Sequence, residues 1–143
     1  MAVKYQQEFL SVIQDDISPL IKEEVAEGGF SGDYVDPVDT YLNFEENIVL
    51  VTARYEGDLV GYVAFVKYPV AFQKNTLSAQ SLGWFVKPKY RGSIGRKLLS
   101  ICETYLKEDG VSQIFLGVRS EGFEAFMEKE GYSFDEITYK KDI

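Results

Sequence analysis

The chain has 143 residues, 45% of them hydrophobic and 27% charged, a composition that suits one globular domain with one core. It has no histidine and one cysteine, Cys102, which excludes imidazole acid/base chemistry, histidine or thiolate metal sites and any disulfide within the chain. A formal charge of −8 argues against a general nucleic-acid binder, no apolar run reaches membrane-spanning length, and "MAVKYQQEFLSVIQDDI" meets charge too early for a secretory signal, so a single domain over residues 1–143 in the cytoplasm is expected.

Val3 to Leu10 reads as a short opening strand. From Ser11 to Glu27, Val12, Ile13, Ile17, Leu20, Ile21 and Val25 recur at helical spacing. Pro19 inside that run predicts a kink or two helices, and Gly28-Gly29 ends it. "FSGDYVDPVDTYLNFEEN" begins as loop, and Asp36-Pro37 resembles an N-cap with proline at the first helical position. Ile48 to Tyr55 and Leu59 to Lys67 form a hairpin pattern around the turn Glu56-Gly57-Asp58. "SLGWFV", 81–86, reads as a buried strand that Pro88 stops. Ile94, Leu98, Leu99, Cys102, Tyr105 and Leu106 make one apolar stripe on a helix from Ser93 or Ile94 to Lys107. Cys102 on that stripe reads as buried packing. "SQIFLGV" is the next strand, "EGFEAFMEKEGY" a short helix closed by Gly131, and "SFDEITYKKDI" alternates like a last strand. The order is β-α-α-β-β-β-α-β-α-β.

The charge is unevenly placed. Lys87, Lys89, Arg91, Arg96 and Lys97 fall within eleven residues that hold no acid, leaving ten Lys/Arg against 23 Asp/Glu in the rest of the chain. Residues 1–60 alone hold 13 acids against Lys4, Lys22 and Arg54. A basic turn between a buried strand and a helix start suits one small polyanion, because unpaired helix N–H groups and small side chains let a phosphate approach the backbone. "GSIG" fits neither the Gly-x-Gly-x-x-Gly nor the P-loop pattern.

"LGWFVKPKYRGSIGRKLLSICETYLKEDGVSQIFLGV" resembles the acetyl-CoA-binding core of the GNAT (GCN5-related) N-acetyltransferases: a strand ending in apolar-Val-x-Pro, a Tyr-Arg-Gly turn, and a helix with a double Leu. "TARYEGDLVGYVAF" resembles that family's second and third strands, and "FEAFMEKEGYSFDEITYKK" its closing segment. "ISPLIKEEVAE", "YRGS" and the ending Glu136…Tyr139-Lys140 look similar to members encoded by tailed bacteriophages, which would place the protein in the host cytoplasm. The turn is one residue shorter than the family's Arg/Gln-x-x-Gly-x-Gly/Ala pattern.

The resemblance implies an α/β (α+β) fold with a mixed, mostly antiparallel sheet flanked by helices and splayed between the strands at 82–87 and 112–118. It implies acetyl-CoA as co-substrate, no metal, and direct acetyl transfer to an amine. Phe85, Val86, Arg91, Gly92, Ser93, Ile94, Gly95, Arg96 and Lys97 would hold the cofactor, with Lys87 and Lys89 near its ribose phosphate. An amide near Phe85 or Val86 would polarise the thioester oxygen. The family's proton-donating tyrosine corresponds to Met127, which cannot donate, so Tyr139 is the alternative acid; Tyr132 reads as core. Base candidates are Asp33, Asp36, Asp39, Glu45 and Glu46. The acidic first 60 residues would favour a cationic acceptor: a polyamine, an aminoglycoside-like amine or a protein lysine. A homodimer is left open. The competing expectation is a protein of this shape without transferase activity, acting as a binding or accessory factor on a host protein; a nucleic-acid role is the third.

Overall fold

The computed structural model describes residues 2–30, 32–118 and 122–143. Ser31 in the expected loop and Glu121 at the start of the expected short helix lie outside them. In chain order the elements are β1 (Val3–Gln7), α1 (Leu10–Glu27), α2 (Val38–Leu42), β2 (Ile48–Tyr55), β3 (Asp58–Pro69), β4 (Leu77–Val86), α3 (Ser93–Glu108), β5 (Val111–Phe115) and α4 (Glu124–Lys129). The five strands lie in sequence order, antiparallel except for the parallel β4–β5 pair. Because β4 and β5 run parallel, they need a crossover, and α3 supplies it.

The central strands are buried on both faces, as their near-continuous apolar runs require. On one face Val49, Val51, Val63, Phe65 and Val86 pack against Ile94, Leu98, Leu99, Cys102 and Leu106 of α3. On the other, Leu50, Tyr62, Ala64 and Phe85 pack against Leu10, Ile13, Ile17, Leu20 and Ile21 of α1. The hairpin turns on Glu56 and Gly57, at φ +51° and +86°, the paired left-handed conformation that matches strand twist.

Three sequence expectations are corrected. The break in α1 falls at Ile13 (φ −114°, ψ 16°), six residues before Pro19, which stays within the helix. The strand expected at 81–86 begins four residues earlier, at Leu77, and it is this added polar half that pairs with β5. The last strand does not form: residues 132–143 carry no regular structure, and Phe134, Ile137 and Tyr139 are exposed. The residues after Tyr132 have no strand partner, so their period-two pattern is not backed by a ladder.

β4 carries a bulge. Ala64 faces Gly83 and Phe65 faces Ser81, so Leu82 is an extra residue. The insertion reverses the alternation: Ala79 points to the α3 face before it, Trp84 and Val86 after it. Gly83 follows the bulge because Tyr62 fills its side-chain space. A Cβ there would lie 2.0 Å from the Tyr62 hydroxyl oxygen and 2.8 Å from its ring carbon Cζ.

Two outcomes follow from this packing. Gly83→Ala should cost about 1–3 kcal/mol by overpacking, read as a lower urea midpoint, and Tyr62→Phe in the same background should recover part of it. Cys102 is buried and its thiol is pushed up to about 12, by burial first and the Glu103 charge second. It should therefore resist a thiol reagent at pH 8 in the native protein and react fully once denatured.

Candidate active site

The β4–β5 ladder runs only from Leu77–Val111 to Gln80–Phe115. One further link, from the Gly117 N–H to the Ser81 hydroxyl at 3.0 Å, closes it. Beyond that point, among the described residues, β4 is paired with β3 alone, and its other edge faces a gap. The expected splay is therefore present, with its apex at Ser81. Lys87 N–H donates to the Val60 carbonyl of β3 at 2.9 Å. Strand groups alternate in direction, so Trp84 and Val86 present their N–H and C=O groups to the gap.

Two of those groups already have partners. The Trp84 N–H donates to a Glu24 carboxylate oxygen at 3.2 Å, and the Val86 carbonyl accepts from Arg91 Nε at 2.9 Å. The Val86 N–H remains directed into the gap. On the α3 side, the Trp84 ring stacks on Phe126 at 6.0 Å and tilts against Phe123 at 6.0 Å, and its Nε1 donates to the Gly95 carbonyl at 3.0 Å. On the α1 side, Tyr62 donates its hydroxyl proton to Glu24.

After β4 the chain makes a single 3-10 turn at Pro88–Tyr90, and Gly92 turns it into α3. Gly92 sits at φ +138°, ψ −119°, a region open only to glycine, and a Cβ there would meet nothing within 4 Å. Among the described residues no side chain caps the start of α3, and no acid lies in its first turn. Its first N–H groups therefore face outward with the positive end of the helix dipole behind them. Ile94 does not obstruct them, because its side chain is buried in the core beside Val86 and Leu98.

The residues singled out from the sequence divide into three groups. Val86, Gly92, Ser93, Ile94 and Gly95 come together at the mouth of the gap. Phe85 is buried on the α1 side with the Arg91 guanidinium 5.3 Å above its ring. Arg91 is engaged by protein: besides the Val86 carbonyl it pairs with Glu27 of α1 at 2.6 Å. Arg96 pairs with Glu130 at 2.7 Å, and Lys97 lies over the Tyr5 ring of β1 at 5.1 Å. Tyr139 is 89% exposed in the segment after α4 and makes none of the contacts that form the gap. Tyr132 is half-buried, with its hydroxyl donating to Glu103 at 2.7 Å.

Two of the expected base candidates have structural partners. Asp36 accepts the Val38 N–H at 3.0 Å, and Glu45 accepts the Ser11 N–H at 2.7 Å, which draws its carboxyl below the usual range. The carboxylate at the gap is Glu24, which the sequence reading passed over. The signal was available: Glu24 continues the buried stripe Ile13, Ile17, Leu20, Ile21, where an acid is out of place.

A family model described as the acetyltransferase (GNAT) family matches residues 18–132. No curated protein matches the chain. Among solved structures, the ribosomal-protein-alanine N-acetyltransferase from Brucella melitensis biovar Abortus 2308 is similar over 100% of both chains, with TM-score 0.79 and 20% identity. A predicted acetyltransferase with acetyl-CoA from Clostridium acetobutylicum is similar over 99% of this chain and 96% of its own, with TM-score 0.79 and 16% identity. Glucosamine-6-phosphate N-acetyltransferase from Arabidopsis thaliana is similar over 99% of both chains, with TM-score 0.76 and 17% identity. These likenesses are of fold.

The Arg91 contacts separate two energies. Arg91 and Glu27 are 44% and 47% exposed, so Glu27→Gln should cost less than about 1 kcal/mol. Arg91→Ala also strips the Val86 carbonyl and the Phe85 ring of a partner and should cost about 1–2 kcal/mol. Urea unfolding of the two variants checks the order.

Proposed function

The chain belongs to the GNAT family of acetyltransferases, and from that premise we propose that it moves an acetyl group from acetyl-CoA to an amine by direct transfer. One observation carries the reading: the edge of β4 that lacks a strand partner leads through a single 3-10 turn into a helix start that no described side chain caps. A strand edge can take an extended amide-bearing arm as an added strand, and a bare helix N-terminus can take phosphate. The residues present fit the co-substrate at both ends.

We assign the diphosphate to the amides of Gly92 to Gly95, with Ser93 small enough to let it approach. Arg91, Arg96 and Lys97 contribute charge, with Lys87 and Lys89 close in sequence. Arg91 acts mainly by holding the turn against β4. Acetyl-CoA supplies the acetyl group as a thioester. The Val86 N–H is the donor aimed where negative charge builds on the thioester oxygen. Glu24 accepts the proton that the amine must lose, and its contact with the Trp84 N–H fixes that carboxylate beside β4. As the N–C bond forms, the C–S bond breaks, and the thiolate takes its proton from solvent in the open gap. Tyr139, first considered for that step, is too exposed to hold a fixed proton there. The acceptor is an amine. Likeness to phage-encoded members rests on the sequence features alone.

Acetyl-CoA at 100 times its Kd should stabilise the fold by about 2.7 kcal/mol, and dephospho-CoA should give less if the lysines meet the ribose phosphate. Ser93→Asp separates fold from function. A carboxylate in the first turn should leave the apo protein as stable or slightly more so, while repelling the diphosphate and weakening acetyl-CoA at least tenfold. Absence of any thermal shift at millimolar acetyl-CoA would favour the non-enzymatic reading.

A further inference from the structure

The α1 face of the gap carries more than a base. Glu24 is bonded to Tyr62, and Tyr62 and Tyr41 border a small cavity of about 20 Å³ whose remaining walls are aliphatic side chains of α1 and the sheet. Beside them, the Tyr34 hydroxyl is buried without a hydrogen-bond partner among the described residues. A buried hydroxyl left unpaired costs stability that folding must supply elsewhere. Tyr62 feels both the Glu24 charge and the Tyr34 phenol, so the orphaned hydroxyl lies near that pair, and it points to a ligand that completes it.

The chemistry of that ligand can be read from what surrounds it. The Tyr34 ring already faces an alkylammonium, because Lys22 Nζ lies 5.7 Å from its centroid. Residues 1–60 carry 13 acids against three basic residues, a field that draws cations. Burial first, and the Glu24 charge second, push the Tyr62 and Tyr41 phenols above their ordinary range, so both stay neutral donors and acceptors at physiological pH. Neutral phenols and the Glu24 carboxylate suit a cation, and Lys22, over the Tyr34 ring, is the positive group that an incoming ammonium would have to displace.

We propose that Glu24, Tyr34, Tyr41 and Tyr62 form the acceptor subsite, and that it selects the ammonium end of an unbranched alkylamine with further positive charge along its chain, a polyamine. An ammonium N–H donates to the Tyr34 oxygen and another to Glu24, while Tyr62, buried in the core, holds that carboxylate in place. The subsite rests on the acetyltransferase reading for its chemistry, but its binding can be measured separately.

The experiment uses the full chain with spermidine as the probe, and glucosamine 6-phosphate and an alanine-terminated peptide as comparisons. Two readouts are taken: CoA thiol release, and saturation-transfer NMR of the spermidine methylenes, which needs no turnover. Spermidine should be acetylated with kcat/KM at least tenfold above both comparisons. Tyr34→Phe should raise the spermidine KM about tenfold, leave the acetyl-CoA Kd unchanged and make the apo protein no less stable, since it deletes an unpaired hydroxyl. A merely structural tyrosine would lower stability and leave KM alone. Glu24→Gln should reduce kcat and weaken spermidine binding together, and circular dichroism confirms that it is folded. The subsite is overturned if acetyl-CoA binds but spermidine gives neither NMR signal nor product, or if Tyr34→Phe keeps the wild-type KM. Should acetyl-CoA itself fail to bind, the transferase reading falls and the NMR arm alone decides: a saturation signal that Tyr34→Phe weakens upholds the subsite, and no signal overturns it.

Discussion

The parting of β4 from β5 at Ser81 is the constraint on which the rest depends. A parallel pair that continued to Val86 would spend every edge amide on the ladder and leave nothing for a ligand. The Leu82 bulge prevents that. It adds one residue, reverses which side chains face α3, and increases the local twist so that β4 bends away from its neighbour. Gly83 then gives Tyr62 room to reach across the strand, and Tyr62 brings Glu24 to the Trp84 amide. The bulge thus sets the free edge, the aromatic floor at Trp84 and the carboxylate opposite it.

The basic turn is less basic in three dimensions than in sequence. Arg91 and Arg96 each pair with an acid, Glu27 and Glu130. Both arginines are about half exposed, where an ion pair contributes at most about 1 kcal/mol. A diphosphate carries more charge than a carboxylate and can also take backbone N–H groups that Glu27 and Glu130 do not use. Exchanging one anion for the other therefore costs little. The two acids offset part of the mutual repulsion among the five clustered cations. Such pre-pairing explains how an otherwise acidic protein tolerates this segment.

Much of this was legible beforehand, and the failures share a cause. The β2–β3 hairpin and α3 were legible because each has a strong local signal: two-residue turn chemistry in one, a complete apolar stripe in the other. The strand–turn–helix unit was legible through Pro88 and the glycines. The first half of β4, Leu77–Gln80, was not, because "LSAQ" has no β-rich run and gains its pairing only from β3 and β5 on either side. The last strand failed in the opposite way. "SFDEITYKKDI" has the alternation, but a strand exists only with a partner, and periodicity says nothing about whether a sheet edge is reached. Glu24 was hidden by composition: in a segment rich in acids, one more looks like solvent-facing charge. Only its phase on the helix, in line with Ile17 and Ile21, marks it out.

The last turn of α1 joins these observations. Glu24 and Glu27 are three residues apart, hence neighbours on one helix face. One grips the Trp84 amide near the middle of the free edge, and the other grips Arg91 at its end. α1 is therefore tied to β4 at Trp84 and to the turn after it at Arg91, 7 residues further along the sequence. The two ties differ in kind. The Glu27 contact is an exposed ion pair that a phosphate can replace; the Glu24 contact is a partly buried hydrogen bond reinforced by Tyr62. A phosphate that drew Arg91 away from Glu27 would release the outer tie of α1 and leave the inner one in place. The carboxylate proposed to take the acceptor's proton would thus keep its place while the outer contact changed partners.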